Sequence, residues 1–256
     1  MSKFKGVLIV SDWDGTVIKD GVIPGENIEA IKRFQSEGGR FTICSGRPLD
    51  YLLDRFSDFA PNTYLATLNG AIITTLDGER LFEGFLGEEI FPILEELAKY
   101  RPPTKLIALY LRDGEKIVRH SPGSVNEILD KYREANIYKL VLITDSESDS
   151  ARIKSMLDRI DLGKFIAVNS WSTGTELLRR DHSKGAAIRR IKERIGARIS
   201  VAVGDYENDI ELLSAADISF AVGDGIEALK AIADHVTVMA SEGALADVIS
   251  RLEDLV

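Results

Sequence analysis

The sequence holds a single cysteine, Cys44, among 256 residues. That excludes a disulfide within one chain and any cysteine-histidine zinc spacing. Cys44 lies inside the apolar run Phe41-Thr42-Ile43-Cys44 and reads as a buried, inert thiol. Basic residues are not in excess either. The formal net charge is -9, and no local lysine-arginine cluster offsets it, which argues against a nucleic-acid binder held by phosphate contacts. No apolar stretch approaches the roughly 20 residues of a membrane span. The first strand begins too early to leave room for a signal peptide, so a cytoplasmic protein is the expectation. Internal repeats and low-complexity segments are absent as well. What remains, with 45% hydrophobic residues, suffices for one large domain or two smaller ones.

Against that background the string Asp12-Trp13-Asp14-Gly15-Thr16 stands out, directly after the apolar run Val7-Leu8-Ile9-Val10. The run is short, β-branched and barely interrupted, the pattern of a strand buried on both faces of a parallel sheet. Such a strand opens at its C-terminal end onto the ligand crevice. Side chains alternate on extended backbone, so Asp12 and Asp14 are expected to lean one way and Trp13 another. Two like charges are then forced together, a cost that a cation or a shared proton relieves, while Gly15 allows the sharp turn. Taken alone, the string also reads as a turn that caps the next segment.

Downstream, Pro24-Gly25-Glu26-Asn27 followed by Ile28, Ile31 and Phe34 predicts a helix that stops at Gly38-Gly39. Phe41 to Cys44 predicts a second buried strand, ending at Ser45-Gly46-Arg47-Pro48, where Pro48 suits the first turn of a helix. Tyr64 to Leu68 predicts a third, ending at Asn69-Gly70 and followed by a hairpin around Asp77-Gly78. The α/β alternation then gives way to helices near 88–100, 125–135 and 150–160. Strands near 106–112, 116–120, 138–143, 165–169 and 176–179 accompany them, with a stiff break at Pro102-Pro103. Alternation resumes with a helix from Ser183 to Ile195 and continues through strands at 199–203, 218–222 and 236–238 to a last helix. The pattern is α/β: a parallel-sheet core from residues 1–82 and 179–256, with an inserted α+β domain at 83–178.

Four polar clusters fall at corresponding strand ends or at a helix start: Asp12 with Asp14, Ser45 with Arg47, Lys184, and Gly204-Asp205-Tyr206-Glu207-Asn208-Asp209. Asp205 follows its apolar run as Asp12 follows its own, so both carboxylates should enter one crevice. Asp209, one helical turn later, completes an oxygen-rich cation site that suits Mg²⁺ better than zinc. Lys184 and the Ser45 hydroxyl supply what a phosphoryl group needs besides a cation. Each residue also has a plainer reading. Lys184 is a cation at a helix start, against the dipole, and a solvated one would need no partner. Ser45-Gly46-Arg47 can be only a turn, Ser183 an N-cap, and Asp209 and Asn208 helix-start residues. Asp181-His182-Ser183 does not make a hydrolase triad, because triad members meet by folding rather than by sequence adjacency. His182 is expected at the substrate edge or in solvent, and His120 and His235 in structural roles.

Taken in order, Asp12-Trp13-Asp14-Gly15-Thr16, Ser45-Gly46-Arg47, Asn69-Gly70, Ser183-Lys184-Gly185 and Gly204 to Asp209 resemble the motif set of the haloacid dehalogenase-like superfamily. More narrowly they resemble its Cof-type, subfamily IIB, sugar-phosphatase branch. The resemblance spans the chain, with residues 83–178 standing where that branch carries its large cap. One departure is Gly223-Asp224-Gly225, where many members of that branch have a glycine-asparagine pair.

The resemblance implies a Rossmann-like core with a substrate-specificity cap. It also implies a Mg²⁺-dependent phosphatase that acts on a small phosphorylated metabolite, such as a sugar phosphate, through an aspartyl-phosphate. Asp12 would be the nucleophile, and Asp14 would protonate the leaving alcohol and then activate water. Mg²⁺ would be held by the Asp12 carboxylate, the Asp14 carbonyl and Asp205, with Asp209 acting directly or through water. Ser45, Gly46 and Lys184 would hold the phosphoryl oxygens. Arg47, Asn69 and Asn208 would stand beside the site, and Lys139, Asn169, Ser170 and Trp171 are the candidate cap contacts, though they also fit ordinary solvated or packing positions. A phosphomutase with the same aspartyl-phosphate is the alternative enzyme, and a phosphoacceptor signalling domain the alternative of another class.

Overall fold

In the computed structural model, which describes residues 3–112, 117–120, 128 and 131–256, the chain forms two units. One comprises Met1–Glu83 with Ser183–Val256, the other Gly84–His182. Among the described residues no helix is long and apolar enough to cross a membrane.

The first unit begins with β1 (Val7–Ser11), which is buried throughout. It continues through the helix Gly25–Ser36, β2 (Arg40–Ile43) and the short helix Leu49–Leu53. The strands β3 (Leu65–Thr67), β4 (Ile72–Thr74) and β5 (Arg80–Glu83) follow. The chain then enters the second unit, with β6 (Leu106–Leu111), β7 (Ile117–His120), β8 (Ile137–Ile143), β9 (Phe165–Trp171) and β10 (Gly174–Arg179). It returns to the first unit with the helix Lys184–Ile195, β11 (Ile199–Gly204), the helix Ile210–Ala215 and β12 (Ile218–Ala221). The short strand β13 (His235–Val236) and the helix Ala244–Leu255 complete it.

In the first unit β13, β12, β11, β1 and β2 form one sheet in that order, and every pairing is parallel. Strand alternation explains why both faces of β1 are apolar. Val7 and Ile9 pack in one cluster with Ile31, Phe34, Val248 and Leu252, from the helices Gly25–Ser36 and Ala244–Leu255. Leu8 and Val10 pack in another with Ile188, Ile191, Leu212 and Leu213, from the helices Lys184–Ile195 and Ile210–Ala215. The connection leaving β1 thus runs over one face and the connection leaving β11 over the other. β1 and β11 are neighbours, so the strand order reverses between them, and a crevice at their C-terminal ends is the expected ligand position. Asp12 follows β1 and Asp205 follows β11.

The expectation of an α/β protein with a parallel-sheet core holds, with one difference at the third strand. β3 does not extend the parallel sheet. It pairs antiparallel with β4, and β4 with β5, in a separate three-stranded sheet that meets the main one through the Cys44–Ala66 bridge. The predicted strand is also shorter at its end, because Leu68 has left the extended region, with φ 49°.

The second unit is an antiparallel sheet in the order β7-β6-β8-β10-β9. Leu109, Leu140, Leu142 and Leu177 pack with Phe91, Leu94 and Leu97 of the helix Ile90–Lys99 and with Ile153 and Leu157 of the helix Glu147–Leu157. Ser146 caps the latter helix by accepting from the Asp149 amide at 3.2 Å. The helix expected near 125–135 falls largely outside the described residues, as does the side chain of His120.

Candidate active site

The C-terminal ends of β1 and β11 and the start of the helix Lys184–Ile195 converge on one charged group. Lys184 Nζ donates to Oδ1 of Asp12 and to Oδ1 of Asp209, each at 2.6 Å, and all three side chains are almost entirely buried. Ser183 caps the helix through the Ala186 amide at 3.3 Å, placing Lys184 in its first turn. A cation is unfavourable there on dipole grounds, and two carboxylates more than compensate. Burial by itself would lower the lysine's pKa, but Asp12 and Asp209 outweigh it and hold the ammonium form. Burial pushes Asp12 well above the usual carboxylate range, opposed by Lys184 and reinforced by Asp209 and Asp205.

Asp205 stands on the same loop as Asp209. Its Oδ1 accepts from the Thr16 hydroxyl at 2.9 Å, while Asp209 Oδ2 accepts from the amides of Asp205 and Tyr206 at 3.1 and 3.2 Å. Burial and the neighbouring Asp209 push Asp205 up to about 7, against the Thr16 hydrogen bond and Lys184. Gly15 has φ 84°, and a Cβ there would lie 2.3 Å from Oδ2 of Asp205. The glycine is needed both for the turn and for the closeness of the two loops.

The Asp14 carboxylate, expected beside that of Asp12, is held by Arg47. Asp14 is about half exposed and forms a bidentate pair with Arg47, Nε to Oδ2 at 2.8 Å and Nη2 to Oδ1 at 3.0 Å. The carboxylates that press on Asp12 are Asp205 and Asp209, which come from the other end of the chain. Trp13 is buried as alternation requires, edge-on to Phe56 and near Phe59. The Arg47 guanidinium also lies 4.5 Å from the centre of the Tyr51 ring.

Ser45, Gly46 and Arg47 form the loop after β2. Ser45 is buried, its amide donates to the Ala66 carbonyl at 2.9 Å, and its Oγ accepts from the Arg47 amide at 3.2 Å. Accepting that bond leaves the hydroxyl proton free to be donated elsewhere. Asn69 is fully buried, and its Oδ1 accepts from Asn208 Nδ2 at 3.4 Å.

The sequence profile of the haloacid dehalogenase-like hydrolases matches residues 9–249. The chain belongs to this hydrolase family. Among its curated relatives is the 5-amino-6-(5-phospho-D-ribitylamino)uracil phosphatase YitU of Bacillus subtilis, 25% identical over 260 residues, covering 94% of this chain and 96% of the relative. Another is the phosphoglycolate phosphatase of Sulfurisphaera tokodaii, 26% identical over 234 residues, covering 90% and 86%. In fold the hydrolase is similar to a HAD/COF-like hydrolase of Plasmodium vivax, with TM-score 0.80, 24% identity and 99% and 97% of the two chains covered.

Asp12, Asp205 and Asp209 of this hydrolase each offer a carboxylate oxygen within 4.8 Å of one another. All donors are hard oxygens, and Asp12 and Asp205 are held above the usual carboxylate range first by burial and then by neighbouring carboxylates, both of which a divalent cation would offset. The group therefore fits such an ion. Asp209 differs from the other two, because three hydrogen bonds already engage its oxygens.

In the second unit, Lys139 donates to Glu176 Oε1 at 2.8 Å with both side chains buried, and its Nζ lies 4.6 Å from the centre of the Tyr110 ring. Trp171 is 39% exposed and donates to Thr173 Oγ1 at 3.1 Å, while Asn169 Oδ1 accepts from Thr175. His182, expected at an edge or in solvent, is instead buried against Gly84, where a Cβ would lie 2.3 Å from the ring. A glycine opposite leaves room for the imidazole, and only the fold brings the two together. His235 stacks near Phe220, at 4.9 Å between ring centres. Two residues had no individual role at the level of sequence: Thr16, which holds Asp205, and Glu176, which pairs with Lys139. Thr16 did carry a signal, being a hydroxyl directly after the glycine turn.

Proposed function

We propose that this hydrolase is a Mg²⁺-dependent phosphatase of small phosphate monoesters, sugar phosphates or related metabolites, working through an aspartyl-phosphate. The observation that carries the reading is the buried Asp12 at the strand-order reversal, bonded to Lys184 and flanked by Asp205. Asp12 attacks phosphorus, and the bond from phosphorus to the ester oxygen breaks. Asp14 gives its proton to the departing alkoxide. A water then attacks phosphorus, Asp14 takes the proton it loses, and the bond to Asp12 breaks to release inorganic phosphate. The Asp14–Arg47 pair is solvent-exposed, so Asp14 can leave Arg47 and take up a proton from water before it meets the leaving group. Lys184, the Ser45 hydroxyl and the Gly46 amide neutralise and orient the phosphoryl oxygens.

Asp12, Asp205 and the Asp14 carbonyl would hold the cation, and Asp209 adds charge while fixing Lys184. When bound, Mg²⁺ supplies charge neutralisation at the phosphoryl group. We assign residues 84–182 to substrate selection, a role supported by their separation from the unit that carries the acidic group. The test is release of inorganic phosphate from a panel of phosphorylated metabolites, with Mg²⁺ and with chelator. Turnover that survives chelation would refute the metal assignment. Strict dependence on a bisphosphate activator, with no phosphate released, would indicate a mutase instead.

A further inference from the structure

Leu68, Asn69 and Gly70 follow one another with φ of 49°, 59° and 101°. The left-handed region suits glycine and tolerates asparagine, but leucine is rarely found there. Both Leu68 and Asn69 are buried, so exposure to solvent does not explain the conformation. A strained backbone of this kind persists where its surroundings over-determine it.

The curl has a visible consequence. It turns the Leu68 amide onto the Arg47 carbonyl at 3.1 Å and the Asn69 amide onto the Ser45 carbonyl at 2.9 Å. Together with the bond from the Ser45 amide to Ala66, three backbone bonds tie the Ser45–Arg47 loop to residues 66–69. The side chain of Asn69 points the other way in connectivity, to Asn208 at 3.4 Å. Asn208 lies between Asp205 and Asp209 in the short 3-10 turn Glu207–Asp209. One residue thus touches the serine loop through its backbone and the acidic loop through its side chain.

We infer that Asn69 is a positioning residue that holds the Ser45–Arg47 loop in register with the acidic loop 204–209; this rests on the phosphatase reading above. It acts through Ser45. The Asn69–Asn208 bond anchors the left-handed turn to the acidic loop, the turn holds the carbonyls on either side of Gly46, and together they fix where the Ser45 hydroxyl aims.

The test uses N69G, because glycine keeps the left-handed φ without steric strain while deleting the side chain. With p-nitrophenyl phosphate and Mg²⁺, N69G should lower kcat about ten-fold with little change in KM, the signature of a contact misplaced in the transition state. Its thermal midpoint should stay within about 3 °C of wild type, since no backbone strain is added. In an S45A background, N69G should cause no further loss, because a residue that acts through Ser45 has nothing left to position.

A second reading needs no turnover. Inorganic phosphate with Mg²⁺ should raise the thermal midpoint of wild type by at least twice as much as that of N69G. Wild-type kcat in N69G, losses in S45A and N69G that multiply independently, or equal phosphate stabilisation in both proteins would each overturn the inference. Wild-type protein that releases no phosphate from any monoester, yet shows the predicted difference in phosphate stabilisation, would refute the phosphatase reading and leave the positioning role standing.

Discussion

Lys184 and Asp12 form a buried ion pair, 2.6 Å from Nζ to Oδ1, across 172 positions of sequence. The same ammonium also reaches Asp209 at 2.6 Å, so it is the cation that lets Asp12 and Asp209 share one buried site. Lys184→Met would keep the stem and remove the charge. Leaving buried carboxylates without their partner costs roughly 3–5 kcal/mol. Chemical denaturation of the metal-free protein should show a loss of that size, and kcat for a phosphate monoester should fall by about 10²–10³. Activity within three-fold of wild type would remove Lys184 from the reaction.

Asp12→Asn separates folding from chemistry. Burial already disfavours the Asp12 charge, and Asp209 still pairs Lys184 in the variant. The thermal midpoint should therefore move by only a few degrees, about what 1 kcal/mol produces in a chain of this size. Turnover should vanish, because an amide does not attack phosphorus. A folded variant retaining a tenth of wild-type kcat would rule out Asp12 as nucleophile.

Placement of the strand-end residues was legible for a physical reason. In a parallel sheet the C-terminal ends of neighbouring strands lie together, so runs such as Val7 to Val10 and Ile199 to Val203 announce where Asp12 and Asp205 will meet. Contacts that depend on the exact path of a turn were not legible. Asp14 pairs with Arg47, 33 positions away, and the Thr16–Asp205 bond joins residues 189 apart. The left-handed Leu68 runs against its own propensity, so no local rule could announce it. β3 reads as one more buried strand by composition, and only pairing reveals the separate antiparallel sheet.

The acidic group makes stability depend on pH in an unusual direction. Burial and Asp209 push Asp205 up to about 7, and burial raises Asp12 as well, whereas an unfolded aspartate titrates near 3.9. The folded protein then binds more protons than the unfolded one between these values, so stability falls as pH rises through that window. Groups held below the ordinary value, such as Asp217 and Asp234, act below it and do not offset the trend. Metal-free protein should lose on the order of 5 °C of thermal midpoint between pH 5 and pH 8. Asp205→Asn should flatten the slope, and Mg²⁺ should raise the midpoint more at pH 8 than at pH 5. A metal-free midpoint that is flat or rising over that range would contradict the geometry.

Thr16→Val tests the bond that holds Asp205. Valine matches the shape of threonine and has no hydroxyl to donate, and Thr16 is fully buried. The variant should lose about 1–3 kcal/mol of stability in metal-free protein, since a charged acceptor loses its donor. If Asp205 holds the cation, Mg²⁺ affinity measured by calorimetry should weaken as its carboxylate loses orientation. Unchanged stability together with unchanged affinity would show that Thr16 does not orient it.

Lys139 and Glu176 offer a test within the second unit, away from the acidic group of Asp12, Asp205 and Asp209. Their side chains are 2% and 1% exposed, and the 2.8 Å bond joins strands β8 and β10 of the antiparallel sheet. Taking two charges out of water is costly, and a buried pair roughly breaks even against apolar residues of similar volume. Lys139→Met alone takes the ion-pair partner from a buried glutamate and should cost about 3–5 kcal/mol. Glu176→Leu alone takes it from a buried lysine and should cost a similar amount. The double variant removes both charges at once, so it should return to within about 1 kcal/mol of wild type, a large non-additive coupling. If instead the two losses add, the pair is not the unit that sets stability there, and each charge must be satisfied by other contacts.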